Sequence, residues 1–334
     1  MSTFAVEILQ LQNIRPHPNA DKMNVVDVWG WQCCIGKDQF RDGDLAVYVP
    51  PDFVVPTTLP EFAFLARDGK TMERIRVRRL RGQLSQGLLI PVPTSVANPT
   101  PGMDVTEALG IVRYEPPLEL KGGGDALGAP SGLYCPKFDV ESYERWGREV
   151  FVPGEPVVIT EKIHGANARY VWAKGPDGAF QQFCGSRTNW WKDTADNIWW
   201  TAYRLHPQIG EWCRTNPEYT LFGEVFGQVQ DLKYGIGKSR LAFAAFAVLK
   251  QQVWLDWELM RSTLRHQDVP VVPEVYVGGF NETSARDLAE SDSSWPGAHH
   301  EREGVVIVPI AERRHEKIGR VILKMVSNRY LGKA

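Results

Sequence analysis

Cysteine is scarce and scattered in this sequence. The five residues Cys33, Cys34, Cys135, Cys184 and Cys213 form no C-x-x-C pair. That argues against a disulfide framework or a zinc site, and for buried, inert thiols in a reducing compartment. Long apolar runs are absent too. No stretch approaches the roughly 18–20 residues of a membrane span, and the N-terminus lacks a basic-then-apolar signal pattern. The sequence therefore reads as a cytoplasmic protein with no membrane partner and no indicated obligate protein partner. An excess of one charge is also missing. Thirty-eight Lys and Arg stand against 40 Asp and Glu, a formal net of −2. A globally basic coat for nucleic acid is not suggested, so any such binding must come from local patches.

What is present is enough apolar residue for a proper core: 43% hydrophobic and 23% charged over 334 residues. That length suits one large or two ordinary domains. Residues 1–115 read as β-rich. Short apolar or alternating runs, "VYVPPDFVVP" (47–56), "RIRVRRL" (74–80) and "GLLIPVP" (87–93), are separated by turn signals such as "RDGD" (41–44) and "RDGK" (67–70). This is the pattern of a small sandwich or barrel. The stretch "PPLELKGGGDALGAPSG" (116–132) holds three consecutive glycines and four prolines or serines, and is expected to be an interdomain linker or mobile loop.

Residues 133–334 mix strands and helices. "EPVVITEKI" and "EGVVIVPI" look like buried strands. "SARDLAES" (284–291) suggests a short helix capped by Ser284 or Thr283, and "VWLDWELMRSTLRHQ" (253–267) has helical spacing of apolar residues. No βαβ repeat and no internal repeat are visible, so the expected class is α+β rather than a doubly wound sheet.

One stretch asks for a chemical explanation. "TEKIHGAN" (160–167) sets Lys162 beside Glu161 and His164, at the end of an apolar run. An amine attacks phosphorus only when unprotonated, and free lysine titrates near about 10.4. Burial or a neighbouring cation, such as a bound metal-nucleotide, lowers that value. Gly165 would let backbone approach a ligand closely. Alone, a short K-x-x-G match is a weak signal.

Four further stretches follow in order: "GSRTNWW" (185–191), "LFGEVFG" (221–227), "EGVVI" (303–307) and "ILKMVS" (322–327). Together with "EKIHGAN" they resemble the ordered motifs of the covalent nucleotidyltransferases, the superfamily of ATP-dependent ligases and mRNA capping enzymes. The "KIHGxN" form resembles the RNA ligase 2 branch. Upstream, "IRPHPNADKMNVVDV" (14–28) and "RVRRLRGQLSQGLLIPVP" (76–93) are similar to OB-type domains. The combination resembles the Deinococcus-type nick-sealing RNA ligases. The implied architecture is an N-terminal OB-type β-barrel (1–115), a linker (116–132) and an adenylyltransferase domain (133–334) built on antiparallel sheets with flanking helices.

The resemblance also implies roles. Lys162 would attack the α-phosphate of ATP and carry AMP. AMP would pass to an RNA 5′-phosphate, and a 3′-hydroxyl would then displace it. Glu161 would meet the adenine amino group, and Asn167 and Glu224 would serve the ribose or polar contacts near it. Arg187 would face phosphate, where a forked guanidinium fits. Phe246 would stack on adenine, and His164 would be a phosphate or polar contact. Glu303 would bind or orient Mg²⁺ or Mn²⁺, and Lys324 would stabilise charge at the α-phosphate. Many relatives carry K-x-K in the last motif. Here the second position is Val326, with Arg329 three residues on. The implied partner is RNA, as a nicked duplex or an RNA–DNA hybrid.

Residues 67–81 carry seven basic and two acidic side chains. In one strand Arg74, Arg76 and Arg78 would share a face and track phosphates. The tryptophans of "NWWKDTADNIWW" (189–200) are expected to be mostly core. His299 and His300 resemble a metal pair, but no carboxylate or Cys spacing supports a zinc site. Two other readings stand behind this one. A guanylyltransferase or DNA ligase usually places an OB domain after the last lysine motif, whereas ten residues follow Lys324 here. A non-catalytic OB-type RNA-binding protein would not need the lysine, both glutamates and Arg187 intact.

Overall fold

The computed structural model describes residues 3–114, 125–237 and 240–332. Among them the chain divides into two compact units. One is centred on residues 3–114 and the other on 125–330, with Tyr143–Arg145 grouped with the first.

The first unit is built on the strand Leu45–Val49, which lies between Glu7–Gln10 and Leu88–Pro91, antiparallel to both. Alternate side chains of a strand point to opposite faces. Val47 and Val49 join Val6, Ile8 and Phe53 in one apolar cluster, while Ala46 and Tyr48 join Val26, Val28 and Cys33 in another. Burial on both faces explains why this segment reads as a continuous apolar run. The remaining strands pair separately: Arg15–Pro16 with Met23–Val28 and Trp31–Gly36, Phe53–Pro56 with Met72–Arg74 and Val112–Arg113, and Val77–Leu80 with Gln83–Gln86. Among the described residues these pairings do not close into one ring, so the expected barrel is a set of short, separately paired sheets around two cores.

The expected basic strand is also interrupted. Arg74 ends one strand and Val77 begins another, with a different partner. Alternation still holds across the break. Ile75 and Val77 are buried, and Arg76 and Arg78 are exposed. Arg74 is drawn aside by the Asp52 carboxylate and lies 3.8 Å over the Tyr114 ring.

The second unit holds two sheets. The larger runs in the order Ala126–Leu127, Trp190–Trp191, Phe180–Gly185, Ala166–Lys174, Tyr219–Gly227, Leu241–Lys250, Val253–Trp254, all antiparallel. The smaller runs Glu141–Ser142, Leu323–Val326, Gly304–Pro309, Pro156–Glu161, Glu274–Gly279. Its edge pair, Glu141–Ser142 with Leu323–Val326, is parallel, a departure from the antiparallel expectation. Helices Ile198–Leu205 and Pro207–Thr215 bury Trp199 and Trp212 in the main core. Trp190 and Trp200 are also buried, so these rings are chiefly core, as expected.

Three local readings need correction. Residues 116–124 of the expected linker lie outside the described residues, but Ala126–Leu127 is an edge strand of the larger sheet, paired with Trp190–Trp191. The helix at 282–289 is capped by Asn281, whose side chain accepts from the Ser284 amide at 2.9 Å, rather than by Ser284 or Thr283. In the 253–267 segment Val253–Trp254 is a strand and the helix begins at Trp257. Helical spacing alone does not mark where a strand edge ends.

Candidate active site

The "KIHG" residues form the corner between the two sheets of the second unit. Pro156–Glu161 belongs to the smaller sheet and Ala166–Lys174 to the larger. The Lys162 amide donates to the Gly304 carbonyl at 2.9 Å, carrying the smaller sheet's pairing one step further. The chain then turns at Gly165. A Cβ there would lie 2.2 Å from the Val225 carbonyl oxygen, so only glycine lets the corner press against the strand Tyr219–Gly227. The close backbone approach at Gly165 is thus one to a neighbouring strand. Gly304, with φ +155° and the Met325 carbonyl oxygen 2.2 Å from where its Cβ would be, fixes the preceding Glu303 in the same way.

The corner brings opposite charges together. Lys162 Nζ donates to Glu303 Oε2 at 2.6 Å. His164 bridges two carboxylates, with Nδ1 3.1 Å from Glu303 and Nε2 2.7 Å from Asp231. Its ring stands 5.4 Å from Tyr330, and its amide donates to the Tyr234 hydroxyl at 2.7 Å. Glu224 faces Asn167 across the pair of strands that flank the corner.

The electrostatics correct one expectation. Burial pulls Lys162 down, but Glu303 and then Glu224 outweigh it, and the lysine is held above its ordinary value. Without a nucleotide it is a paired ammonium, not a free amine. Burial also raises Glu303, yet Lys162 and His164 bring it down to about 2, so it stays ionised. Glu224 is pushed up to about 8 by burial, against the pull of Lys162. His164 is likewise raised, with Glu303 overcoming the effect of burial. Glu303 is thus held ionised and Glu224 toward its neutral form, although both act on the same lysine.

Lys324 belongs to this site by register. It lies opposite Val306, which lies opposite Thr160, two residues before Lys162. Cross-strand partners share a face, as do residues two apart. Lys324 therefore stands on the Lys162 face, one row away. Val326 lies opposite Gly304, in the Lys162 row itself. Valine puts no second cation there. Arg329 does not replace it, because it donates to the Glu290 carbonyl at 2.7 Å and pairs with Asp292 at 3.0 Å.

Other expected residues are engaged with protein partners. Glu161 is 1% exposed and accepts at 2.6 Å from both the Ser293 hydroxyl and the Ser294 amide, which anchors that loop. Each carboxylate oxygen keeps a lone pair with which it can accept an adenine amino group. Arg187 donates through Nε to Asp139 at 3.0 Å. Phe246 is half-buried, 4.7 Å from the Phe138 ring. Asp231, Tyr234, Tyr330 and Asp139 were not found from sequence. No motif carries them, and only the fold sets them beside His164 and Arg187.

The donors fit a nucleotide and a hard cation. Asn167 Oδ1 is buried with no hydrogen-bond partner, an acceptor left for a ligand hydroxyl or amine. Glu303 offers an ionised oxygen. Among the described residues no preformed cluster of three or more His, Cys, Asp or Glu could hold an ion. Mg²⁺ and Mn²⁺ are commonly taken with one or two carboxylates, substrate phosphates and water.

A lysine at a sheet corner, an ionised glutamate just ahead of the neighbouring strand and a second lysine one row away suit group-transfer chemistry. The family model described as RNA ligase matches residues 155–326, and a model described as an OB-fold domain matches residues 5–92. The chain belongs to the RNA ligase family, with an OB-fold domain ahead of its ligase domain. It is similar along nearly its whole length to solved structures of the Naegleria gruberi RNA ligase. An alanine variant with ATP and Mn is 26% identical, with 99% of each chain covered and a TM-score of 0.83. The same enzyme with PPi is 26% identical, covering 98% of this chain and 97% of that one, with a TM-score of 0.82. A variant with AMP and Mn is 26% identical, covering 99% and 98%, also with a TM-score of 0.82. No curated protein matches the chain. Among the described residues no helix is long and apolar enough to cross a membrane.

Proposed function

We propose that this RNA ligase uses ATP to seal breaks bearing a 3′-hydroxyl and a 5′-phosphate, with AMP carried on Lys162. The observation that carries the reading is the Lys162–Glu303 pair, 2.6 Å apart at the corner between two sheets. The Naegleria enzyme's binding of ATP, AMP and Mn supports ATP and a divalent ion for this chain.

Lys162 must first lose a proton and its hold on Glu303. Glu303 is the residue placed to take Mg²⁺ or Mn²⁺, with Glu224 nearby. When bound, the ion supplies positive charge that neutralises phosphate and disfavours the ammonium form of a neighbouring lysine. The Lys162 amine then attacks the α-phosphorus of ATP. A P–N bond forms as the P–O bond to pyrophosphate breaks, and the amine's second proton passes to water. Lys324, on the same face, offsets charge on the α-phosphate. Arg187 exchanges Asp139 for phosphate, and Asn167 Oδ1 receives a polar group of the nucleotide. In the next step an RNA 5′-phosphate oxygen attacks the same phosphorus, releasing Lys162. The RNA 3′-oxygen then attacks the 5′-phosphorus and AMP leaves. His164, clamped by Glu303, Asp231 and Tyr330, positions Glu303 rather than acting as a base.

The substrate is a nick in duplex RNA or in an RNA–DNA hybrid. The test is sealing of nicked duplexes whose strands are RNA or DNA on each side, with ATP and Mn²⁺. Joined product from 3′-hydroxyl/5′-phosphate ends, and none from 3′-phosphate/5′-hydroxyl ends, is expected. The reverse preference would contradict the reading.

A further inference from the structure

A second polar cleft opens in the ligase domain beside the nucleotide site, with a volume of about 160 Å³. Tyr134, Lys137, Phe138, Trp254, Arg314 and Arg320 line much of it. It shares a wall with the site already described. Phe138 touches Phe246, and the next residue, Asp139, holds Arg187. The cations divide into two kinds. Arg320 is committed: it donates through Nε to Glu312 at 2.9 Å, and its guanidinium lies 4.1 Å over the Trp254 ring. Its Nη1 is still a buried donor with no partner. Lys137 and Arg314 are exposed, and among the described residues neither has a carboxylate partner. The acids at the cleft do not cancel them. Without nucleotide Asp139 is taken by Arg187, and Glu141 is buried at 4% exposure. Tyr134 holds its ring half in solvent, 55% exposed, where it serves no core.

Free cations interleaved with an exposed aromatic are the elements of a single-strand nucleic-acid groove: charge tracks the backbone and rings stack on bases. We propose that this cleft is a docking subsite for an RNA strand next to the joining site. Lys137 and Arg314 take its phosphates, and Tyr134 stacks on a base or sugar. The proposal rests on the RNA ligase reading and adds a place on the ligase domain where the strand is gripped.

The test uses the full chain and two readouts. One is the affinity for fluorescein-labelled single-stranded RNA and for a nicked RNA duplex, by anisotropy over a salt series without ATP or metal. The other is labelling of the protein by α-labelled ATP. Lys137→Ala/Arg314→Ala should bind RNA about tenfold more weakly and lose about 1 unit of salt slope per cation removed. ATP labelling should proceed at the wild-type rate, which also shows that the variant is folded. Tyr134→Ala should lose about fivefold in affinity with an unchanged slope, and Tyr134→Phe should restore it. Unchanged affinity and slope in the double variant would overturn the proposal. So would a raised ATP requirement for labelling with RNA affinity intact, which would assign the cleft to the nucleotide. Absence of ATP labelling in the wild type, with the RNA losses as expected, would sink the ATP reading and leave the subsite standing.

Discussion

Two basic regions of this chain are built on opposite plans. At the second unit's corner Lys162 and His164 are largely enclosed, and each is in contact with a carboxylate. In the first unit Arg76 and Arg78 stand exposed on a short strand region whose buried residues, Ile75 and Val77, face inward. A buried charge has to be paired, because desolvation is costly. Exposed arginines need no partner and remain free for phosphate. The first plan suits chemistry, in which a charge must change state in a fixed place. The second suits a surface grip, which acts through number and salt-sensitive attraction.

The largest effect should come from breaking the buried pair. Glu303→Ala removes the ionised oxygen beside Lys162, and sealing should fall at least about 100-fold. Single-turnover sealing at saturating ATP measures it, and a wild-type rate would remove Glu303 from the chemistry. Next is the corner itself. Gly165→Ala places a methyl 2.2 Å from the Val225 carbonyl oxygen and should cost about 3 kcal/mol or more of stability. Denaturant unfolding reads it directly; an unchanged midpoint would mean that the corner does not need glycine.

A smaller effect distinguishes the neutral carboxyl from the charged one. Glu224 has its folded value at about 8, against an ordinary 4.5. Between those values the unfolded chain has ionised and the fold has not. Stability from this group is therefore present below pH 4.5 and is lost as pH rises toward 8. Glu224→Gln, neutral throughout, should flatten that decline in a Tm-versus-pH series. Parallel curves for variant and wild type would show that Glu224 is ionised in the fold. The smallest effect belongs to the exposed plan. Arg76→Ala/Arg78→Ala should weaken RNA binding by about tenfold, lower the salt slope by about 1 per arginine and leave ATP labelling intact. Loss of labelling in step with binding would collapse the distinction between the two regions.

How far the sequence shows these features depends on how local each one is. Lys162, Glu224, Glu303 and Lys324 lie in short ordered stretches, and the apolar runs "EPVVITEKI" and "EGVVIVPI" mark the strands at Lys162 and Glu303. The run "VYVPPDFVVP" marked strand as well, but not its division into two strands, Leu45–Val49 and Phe53–Pro56. Asp231, Tyr330 and Asp139 reach the site only through tertiary folding, and nothing in their neighbours marks them. The edge strand Ala126–Leu127 was invisible for the same reason: two residues beside a glycine run owe their pairing to Trp190–Trp191, far along the chain. Lys162's charge state was misjudged because burial was visible from the apolar run before it, while the two glutamates that outweigh burial come from other strands.

The most direct measurement is incubation of wild type and Lys162→Ala with α-labelled ATP and Mn²⁺, followed by a denaturing gel, on protein freed of bound AMP. The account predicts a labelled band in the wild type alone. A band of equal strength in the variant, or none in either, would contradict the assignment of Lys162 as the residue that carries AMP.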